Sequence, residues 1–551
     1  MKKLQTLAAT VVFSAAAEAM AAMISIPQYL PTKSFATTFL GAIFLTITVW
    51  SFYQMFIYPS FVSPLRHLPH PKGGNLFLGH GLSLFKRPPG NDFLKWMNEI
   101  PNDGVLMFNG FGNQPRIVLT NPRALSEVLV TKTYDFKKPK PLRTFLRRIL
   151  GDGLIIVEGE EHKFQRKHVM PVFSFRHIKE LYPMIWKKAV ALTQGIEAEM
   201  AEKMDLSMGE KSKHNVVEVN HWANKVTMDI IGVAGLGREF NALKNSDDPL
   251  VHNYEEILEP TTEKLTFFAM QIILPQFIVN RLPWKINERV RVITSNLNRI
   301  CGELVADKRA LIKADADEHL DILSVLIKSN NFSDKQLVDQ LLTFLAAGHE
   351  TTSSAFTWVT YLLSTHPEIQ TRLREEIRKH IPTNPGPDFD LATVLEAMPL
   401  LNGVCNETLR LYPTVPITIR DCYTDTTVCD HYIPRGTQVH LVPWATNRLP
   451  EFWGSNAGDF VPDRWIDKET GRPNNTGGSS SNYNILTFLH GPRSCIGEKF
   501  AKAELRCLVA AMVGAYEMEY ADPSVEAIPH GVITTKPRWG MELRLKSLQQ
   551  W

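Results

Sequence analysis

The chain has 551 residues, with 60 Lys plus Arg against 57 Asp plus Glu and a formal net charge of +3. That near balance excludes the concentrated basic excess of a nucleic-acid binder, and a hydrophobic content of 44% excludes a largely disordered chain. Six cysteines in this length are too few for a secreted disulfide scaffold, so a cysteine that matters here acts singly.

Residues 1–33 form a leading segment in which 4–23 are apolar after Lys2 and Lys3 but interrupted by Glu18. This stretch reads as an additional membrane-associated segment or as a signal cleaved near Ala17–Ala21. Residues 34–58 read as a transmembrane anchor. From Ser34 to Leu65 there is no charged residue, and the apolar run Phe35 to Ile57 crosses a hydrocarbon core of ~30 Å at ~1.5 Å per residue. Trp50, Tyr53 and Tyr58 lie toward one end as an aromatic belt, and Arg66 and Lys72 just beyond it put the bulk of the chain in the cytosol. Pro59, Pro64, Pro69 and Pro71, followed by Gly73 and Gly74, make residues 59–74 a stiff hinge that cannot continue a helix. Residues 75–551 then read as one domain.

Within that domain 105–122 reads as short strands with turns, followed by helices over 176–206, 216–237, 249–280, 286–313, 318–329, 333–364 and 367–381. The helix at 333–364 opens on a capping box, Ser333 with Gln336, and is stopped by Pro367. At ~1.5 Å per residue it is ~48 Å long and must cross the middle of a large domain. Strands with Pro turns return over 412–440, and 466–484 is a Gly/Ser/Asn-rich exposed loop. Gly232 to Gly237 reads as a helix end, because no strand precedes it as a dinucleotide loop requires. Lys137, Lys138, Lys140, Arg143, Arg147 and Arg148 form a basic cluster that reads as a solvated face.

The sharpest chemical signal is the run from Phe488 to Ala501. Cys495 sits between Gly491 and Gly497, which let something bulky approach the backbone; Arg493 offers positive charge to an anion. A helix starting after Gly497 turns its N–H groups toward the sulfur and favours a thiolate. Such a thiolate suits haem iron, where it pushes electron density toward O–O cleavage. Phe488-x-x-Gly491-x-Arg493-x-Cys495-x-Gly497 matches every fixed position of the haem-binding signature of the cytochrome P450 monooxygenases, and the chain resembles that family from about residue 64 to 545.

The other marks of the family follow in order. Glu407 and Arg410 share a helix face at i, i+3 and resemble its E-x-x-R pair, with Arg464 in Pro462-Asp-Arg464-Trp465 as the downstream arginine that locks to it. Gly348-His349-Glu350-Thr351 breaks an otherwise apolar helical stripe, which costs stability without partners and favours a functional reading. The resemblance assigns Glu350 and Thr351 to an acid–alcohol pair that widens the helix and relays protons. A zinc-protease motif is excluded because position 353 is Ser. His162, Arg166, Arg420 and Arg493 resemble the family's partners of the haem propionates.

The resemblance implies a mainly α fold with a smaller β-rich lobe. It implies haem b, with iron on Cys495, and NADPH and flavins acting only through a separate NADPH–cytochrome P450 reductase, with cytochrome b5 as a possible second donor. The implied reaction inserts one oxygen of O2 into a lipophilic small molecule at the endoplasmic reticulum membrane, with the look of a fungal enzyme of secondary metabolism acting on a terpenoid, polyketide or related compound. A fatty-acid or xenobiotic hydroxylase, and an O2-independent haem-thiolate isomerase or dehydratase, are the alternatives. By family position Phe136, Phe145, Leu154, Phe267, Phe268, Phe344, Val415, Ile417, Val532 and Ile533 would line the substrate site.

Overall fold

The computed structural model describes residues 33–206, 215–244, 248–258, 261–274, 276–314, 321–382, 385–386, 388–531 and 533–548. The membrane-associated reading of 4–23, Val532 and the Phe268 side chain lie outside the described residues. The chain divides into two compact bodies, residues 1–82 with 107–116, and residues 83–106 with 117–551.

In the first body helix α1 (Lys33–Phe52) passes directly into π-helical turns over Tyr53–Val62. Among the described residues, Phe39–Val62 is the one helix long and apolar enough to cross a membrane. Its two mid-span threonines satisfy their hydroxyls internally, Thr46 on Ala42 O and Thr48 on Phe44 O, both at 2.8 Å. The expectation that helix ends before Pro59 is corrected: Pro59 lies buried inside the π-helical stretch. The wider turn shifts the carbonyl with which a proline ring would clash in an α-helix, and Ser63 N–H closes the end on Tyr58 O at 2.7 Å. Phe56 packs edge-to-face on Phe77, and Gly112 N–H bonds Phe77 O at 3.1 Å, tying the π-helical segment to the turn of the first hairpin.

The second body contains the long helices and most of the sheet. Strands β1 (Val105–Asn109), β2 (Pro115–Leu119), β3 (Phe136–Lys137), β4 (Thr418–Cys422) and β5 (Gln438–Leu441) form a sheet of order β1-β2-β5-β4-β3, with the turn end of β1 and β2 counted in the first body. Arg420 of β4 faces Val439 of β5 in antiparallel register. A second small hairpin pairs β6 (Pro529–His530) with β7 (Lys536–Pro537).

The helices that position the site are α2 (Gly159–Val169), α3 (Phe175–Leu206), α4 (Val219–Ile231), α5 (Asp334–Thr365), α6 (Pro399–Leu411) and α7 (Glu498–Ala515). Helix α5 has 32 residues and starts at the reciprocal Ser333–Gln336 capping box. Leu337, Leu341, Phe356 and Trp358 on α5 join Leu508 and Met512 of α7 in one continuous core. Trp358 is wholly buried and stacks on Tyr412, with ring centroids 4.2 Å apart; truncating such a side chain costs ~3–5 kcal/mol. Phe145 and Phe267 pack on each other in a separate cluster with Val279, Ile286 and Val290, their rings 6.2 Å apart.

Candidate active site

The loop before α7 is held rigid from several sides. Leu486 N–H bonds Asn447 Oδ1 at 2.8 Å, Thr487 Oγ1 donates to Leu409 O at 2.7 Å, and Cys495 N–H donates to Phe488 O at 2.8 Å. Gly491 has φ +74°, and a Cβ there would collide with the Leu129 carbonyl oxygen, so the turn demands glycine. At Gly497 a Cβ would meet nothing nearer than Phe173 Cε1 at 3.9 Å, which leaves that face of the loop clear. Arg166 of α2 donates from Nη1 to Ser494 O at 2.5 Å and from Nη2 to Ser494 Oγ at 3.3 Å. Its guanidinium therefore braces the cysteine loop from the residue before Cys495.

Cys495 is the one exposed cysteine of the six. Burial pushes its thiol up to about 11, opposed by the Gly497 N–H and by the charge of Arg166. The other five cysteines are buried.

A cluster of cations converges behind this loop. Arg493 Nη2 lies 2.5 Å from Glu158 Oε2, and its guanidinium sits 5.0 Å from the Tyr134 ring centre. Lys138 N–H donates to Glu158 Oε1 at 2.9 Å, and Tyr134 OH lies 3.3 Å from His162 Nδ1. Arg420 donates from Nη1 to Thr418 Oγ1 and Ile419 O, both at 2.9 Å. Burial, reinforced by Arg420, pushes the Lys138 ammonium down to about 7, and burial with Arg493 pushes Arg420 down to about 10. His162 falls to about 4 through burial and the charge of Arg493. Burial raises Glu158, but Lys138 and Arg493 outweigh it and hold the carboxyl below its usual range. Arg420 and Arg493, with a Lys138 only partly protonated near neutral pH, thus meet one carboxylate, leaving at least one positive charge over. Among the described residues Arg493 Nε and Nη1 have no hydrogen-bond partner although the side chain is buried.

Lys138 corrects the reading of the basic run as a solvated face. Successive residues of an extended segment point to opposite sides: Lys137 lies over the Tyr423 ring, 3.3 Å from its centre, whereas Lys138 turns inward. Glu158 and Tyr134 escape sequence reasoning altogether. Only their fold partners reveal them.

Helix α5 presents the acid and the alcohol. Thr351 Oγ1 donates to Ala347 O at 2.7 Å, within its own helix. Glu350 accepts from Thr534 Oγ1 at 2.9 Å on Oε1, and its Oε2 lies 3.1 Å from Lys536 Nζ. The helix runs unbroken through this turn. Gly348 has a packing role: a Cβ there would stand 2.8 Å from Ile231 Cδ1, so glycine lets α5 close on α4. Glu504 of α7 is wholly buried and faces Thr352, and burial holds its carboxyl well above the usual range.

Glu407 of α6 accepts from Arg410 Nε and Nη2, from Arg464 Nε and from Trp465 Nε1, each at 2.8 Å. Arg410 spends its remaining donors on Asn447 O and Ala457 O at 2.7 Å and Asp459 O at 3.1 Å. This network fastens α6 to the segment leading to the cysteine loop.

A family model described as Cytochrome P450 matches residues 69–541. The chain belongs to the cytochrome P450 family. It is similar to the cytochrome P450 monooxygenase sphH of Aspergillus fumigatus, 41% identical over 91% of each chain. It is also similar to the cytochrome P450 monooxygenase ptmK of Penicillium ochrochloron, 38% identical over 91% of this chain and 97% of that one. A third relative, the cytochrome P450 monooxygenase ALT8 of Alternaria alternata, is 35% identical over 91% of this chain and 93% of its own. This P450 is a monooxygenase, and its family implies haem iron on a cysteine thiolate together with a redox partner, an organic substrate and O2. The residues present fit haem: a glycine-lined loop under an exposed cysteine, a surplus of buried positive charge for the propionates, and an arginine with donors unused among the described residues.

Proposed function

We propose that this P450 is anchored in the endoplasmic reticulum membrane with its catalytic body in the cytosol. There it inserts one oxygen atom of O2 into a lipophilic organic substrate. Two electrons come from NADPH through a separate reductase, with cytochrome b5 as a second carrier, and the setting is fungal secondary metabolism. The apolar helix Phe39–Val62 and the fungal origin of the relatives support this reading. The observation that carries it is the surplus of buried positive charge, Arg420 and Arg493 with a partly protonated Lys138 against Glu158 alone, on the loop side of the one exposed cysteine.

Haem, when bound, supplies activation of O2 and transfer of one oxygen to a C–H bond, the other leaving as water. In this reading Cys495 holds the iron, flanked by Phe488 and given room by Gly491 and Gly497. Arg493, Arg420 and His162 hold the propionates, joined by Lys138, while Arg166 acts through Ser494 to keep the loop in place. Thr351 Oγ1 and the Glu350 carboxylate move protons into the pocket. Leu154 and Phe344, both buried in the main core, suit an apolar substrate.

The test is mass spectrometry of metabolites from a producing strain with and without the gene. Deletion should make a compound accumulate that is one oxygen lighter than the product lost. An accumulating isomer of equal mass would instead point to O2-independent haem-thiolate chemistry and overturn the proposal.

A further inference from the structure

The acid on α5 is held by a segment 186 residues away in sequence. Lys536 Nζ lies 3.1 Å from Glu350 Oε2 and donates to Asn224 Oδ1 of α4 at 2.9 Å, while Thr534 Oγ1 donates to Glu350 Oε1 at 2.9 Å. Glu350 and Lys536 are 13% and 15% exposed, so water screens the pair little. The charged or titratable neighbours of Glu350 are Lys536 on the hairpin and His349 on its own helix; α4 contributes the neutral Asn224.

The hairpin that brings these donors is fastened to the same helix. Ser354 Oγ and, at 3.3 Å, Trp358 Nε1 both donate to Thr535 O, and Thr535 N–H donates to Thr414 O at 2.9 Å. Arg87 Nη2 holds Gly531 O at 2.8 Å on the far side of the turn. Both donors to the carboxylate therefore arrive from a bracket attached one to two turns further along α5. A lysine on a free loop would satisfy the charge but could not fix its direction.

We propose that Lys536 is a positioning residue of the proton relay: its ion pair, with the Thr534 hydroxyl, fixes where the Glu350 carboxylate stands relative to Thr351. This rests on the reading of Glu350 as the relay acid. Burial alone pushes the Glu350 carboxyl up, but Lys536, His349 and the hydrogen bond from Thr534 outweigh it and keep the group below its usual range. Glu350 therefore rests ionised at neutral pH. Without Lys536 the burial is opposed only by His349 and the Thr534 hydroxyl, and the carboxyl rises toward neutrality.

The test uses the full-length holoenzyme in its membrane fraction, reduced under carbon monoxide. The C–O stretching band is recorded across about pH 5.5 to 8.5, a range that spans a carboxyl raised by burial. The wild-type band should not move with pH. Lys536→Met should shift the band and make it pH-dependent, Lys536→Arg should restore wild-type behaviour, and Glu350→Gln in the Lys536→Met background should abolish the pH dependence. A Lys536→Met band that matches wild type at every pH overturns the proposal. Should Lys536→Met fail to retain haem, Thr534→Val carries the same expectation at smaller size, and a pH-invariant, unshifted band there overturns it equally. Unchanged peroxide release per NADPH in Glu350→Gln would remove the relay reading of Glu350, and with it the proposed role; a shifted Lys536→Met band would then report only the pairing.

Discussion

Glu407 and Arg410 form an ion pair in which neither side chain touches solvent, with Nε to Oε2 and Nη2 to Oε1 both at 2.8 Å. Two buried charges are tolerated only when every lone pair and proton is engaged. Here Arg464, Trp465 and the Val461 N–H complete the carboxylate, and three backbone carbonyls complete the guanidinium. Glu407→Gln leaves Arg410 and Arg464 facing a neutral amide, and breaking such a pair costs ~3–5 kcal/mol. The expected outcome is loss of folded, haem-loaded protein. Trp465→Phe removes one donor and part of a buried ring but leaves the ion pair intact, and should destabilise by ~1–3 kcal/mol in urea unfolding. Equal stability of the two variants would contradict the network's weight on the carboxylate.

Cys495→Ser should abolish the thiolate-type band in the reduced, carbon monoxide-bound spectrum. The backbone bond from residue 495 N–H to Phe488 O does not involve sulfur, so far-ultraviolet circular dichroism should stay close to wild type. A surviving thiolate-type band would move the iron ligand to another residue.

The cation cluster predicts opposite effects on the apoprotein and the holoprotein. With folded Lys138 lowered to about 7 from an ordinary 10.5, the fold favours the neutral amine. The penalty sets in as pH falls below 10.5 and is complete below about 7, so apoprotein stability should rise as pH climbs from 7 to about 9. Lys138→Met should flatten that rise and stabilise the apoprotein at pH 7 by ~1–3 kcal/mol, while lowering the fraction of protein that retains haem through dialysis. A lysine with a purely structural role would lower both quantities together.

Some of this architecture is legible in the amino-acid order, because short-range physics carries it. The apolar helix Phe39–Val62 announces itself through the absence of charge from Ser34 to Leu65, and α5 through its capping box and the proline that stops it. The Glu407–Arg410 contact follows from helical spacing alone. What escapes is non-local. Lys138 follows directly on a strand of two residues, Phe136–Lys137, too short for its alternation to stand out within a run of cations. Lys536 and Thr534 meet Glu350, and Glu504 meets Thr352, only because helices and hairpin are packed across more than 150 residues of chain. Pro59 misleads because the breaker rule assumes α-helical hydrogen bonding, and the chain there is π-helical.

Thr351→Ala removes a hydroxyl that already has a partner in its own helix, the Ala347 carbonyl at 2.7 Å. Folding should therefore change by less than about 1 kcal/mol, whereas peroxide released per NADPH consumed should rise several-fold in a reconstituted system with reductase. Unchanged release with intact haem content would take the relay away from Thr351.

Gly348→Ala separates a helix-propensity effect from a packing effect. In an exposed helix the substitution would stabilise by ~1 kcal/mol. At this position the new Cβ would stand 2.8 Å from Ile231 Cδ1 and 3.0 Å from Ile231 Cγ1, closer than carbon atoms tolerate. Overpacking of this kind costs ~1–3 kcal/mol, so the net change should be destabilising despite the better helix former. Ile231→Val removes the Cδ1 methyl and opens room at the contact. The double variant should then recover most of the loss, with a coupling energy of ~1 kcal/mol or more between the two sites. Additive effects would mean that Gly348 is not there to admit Ile231, and the glycine would return to the relay turn as a functional residue.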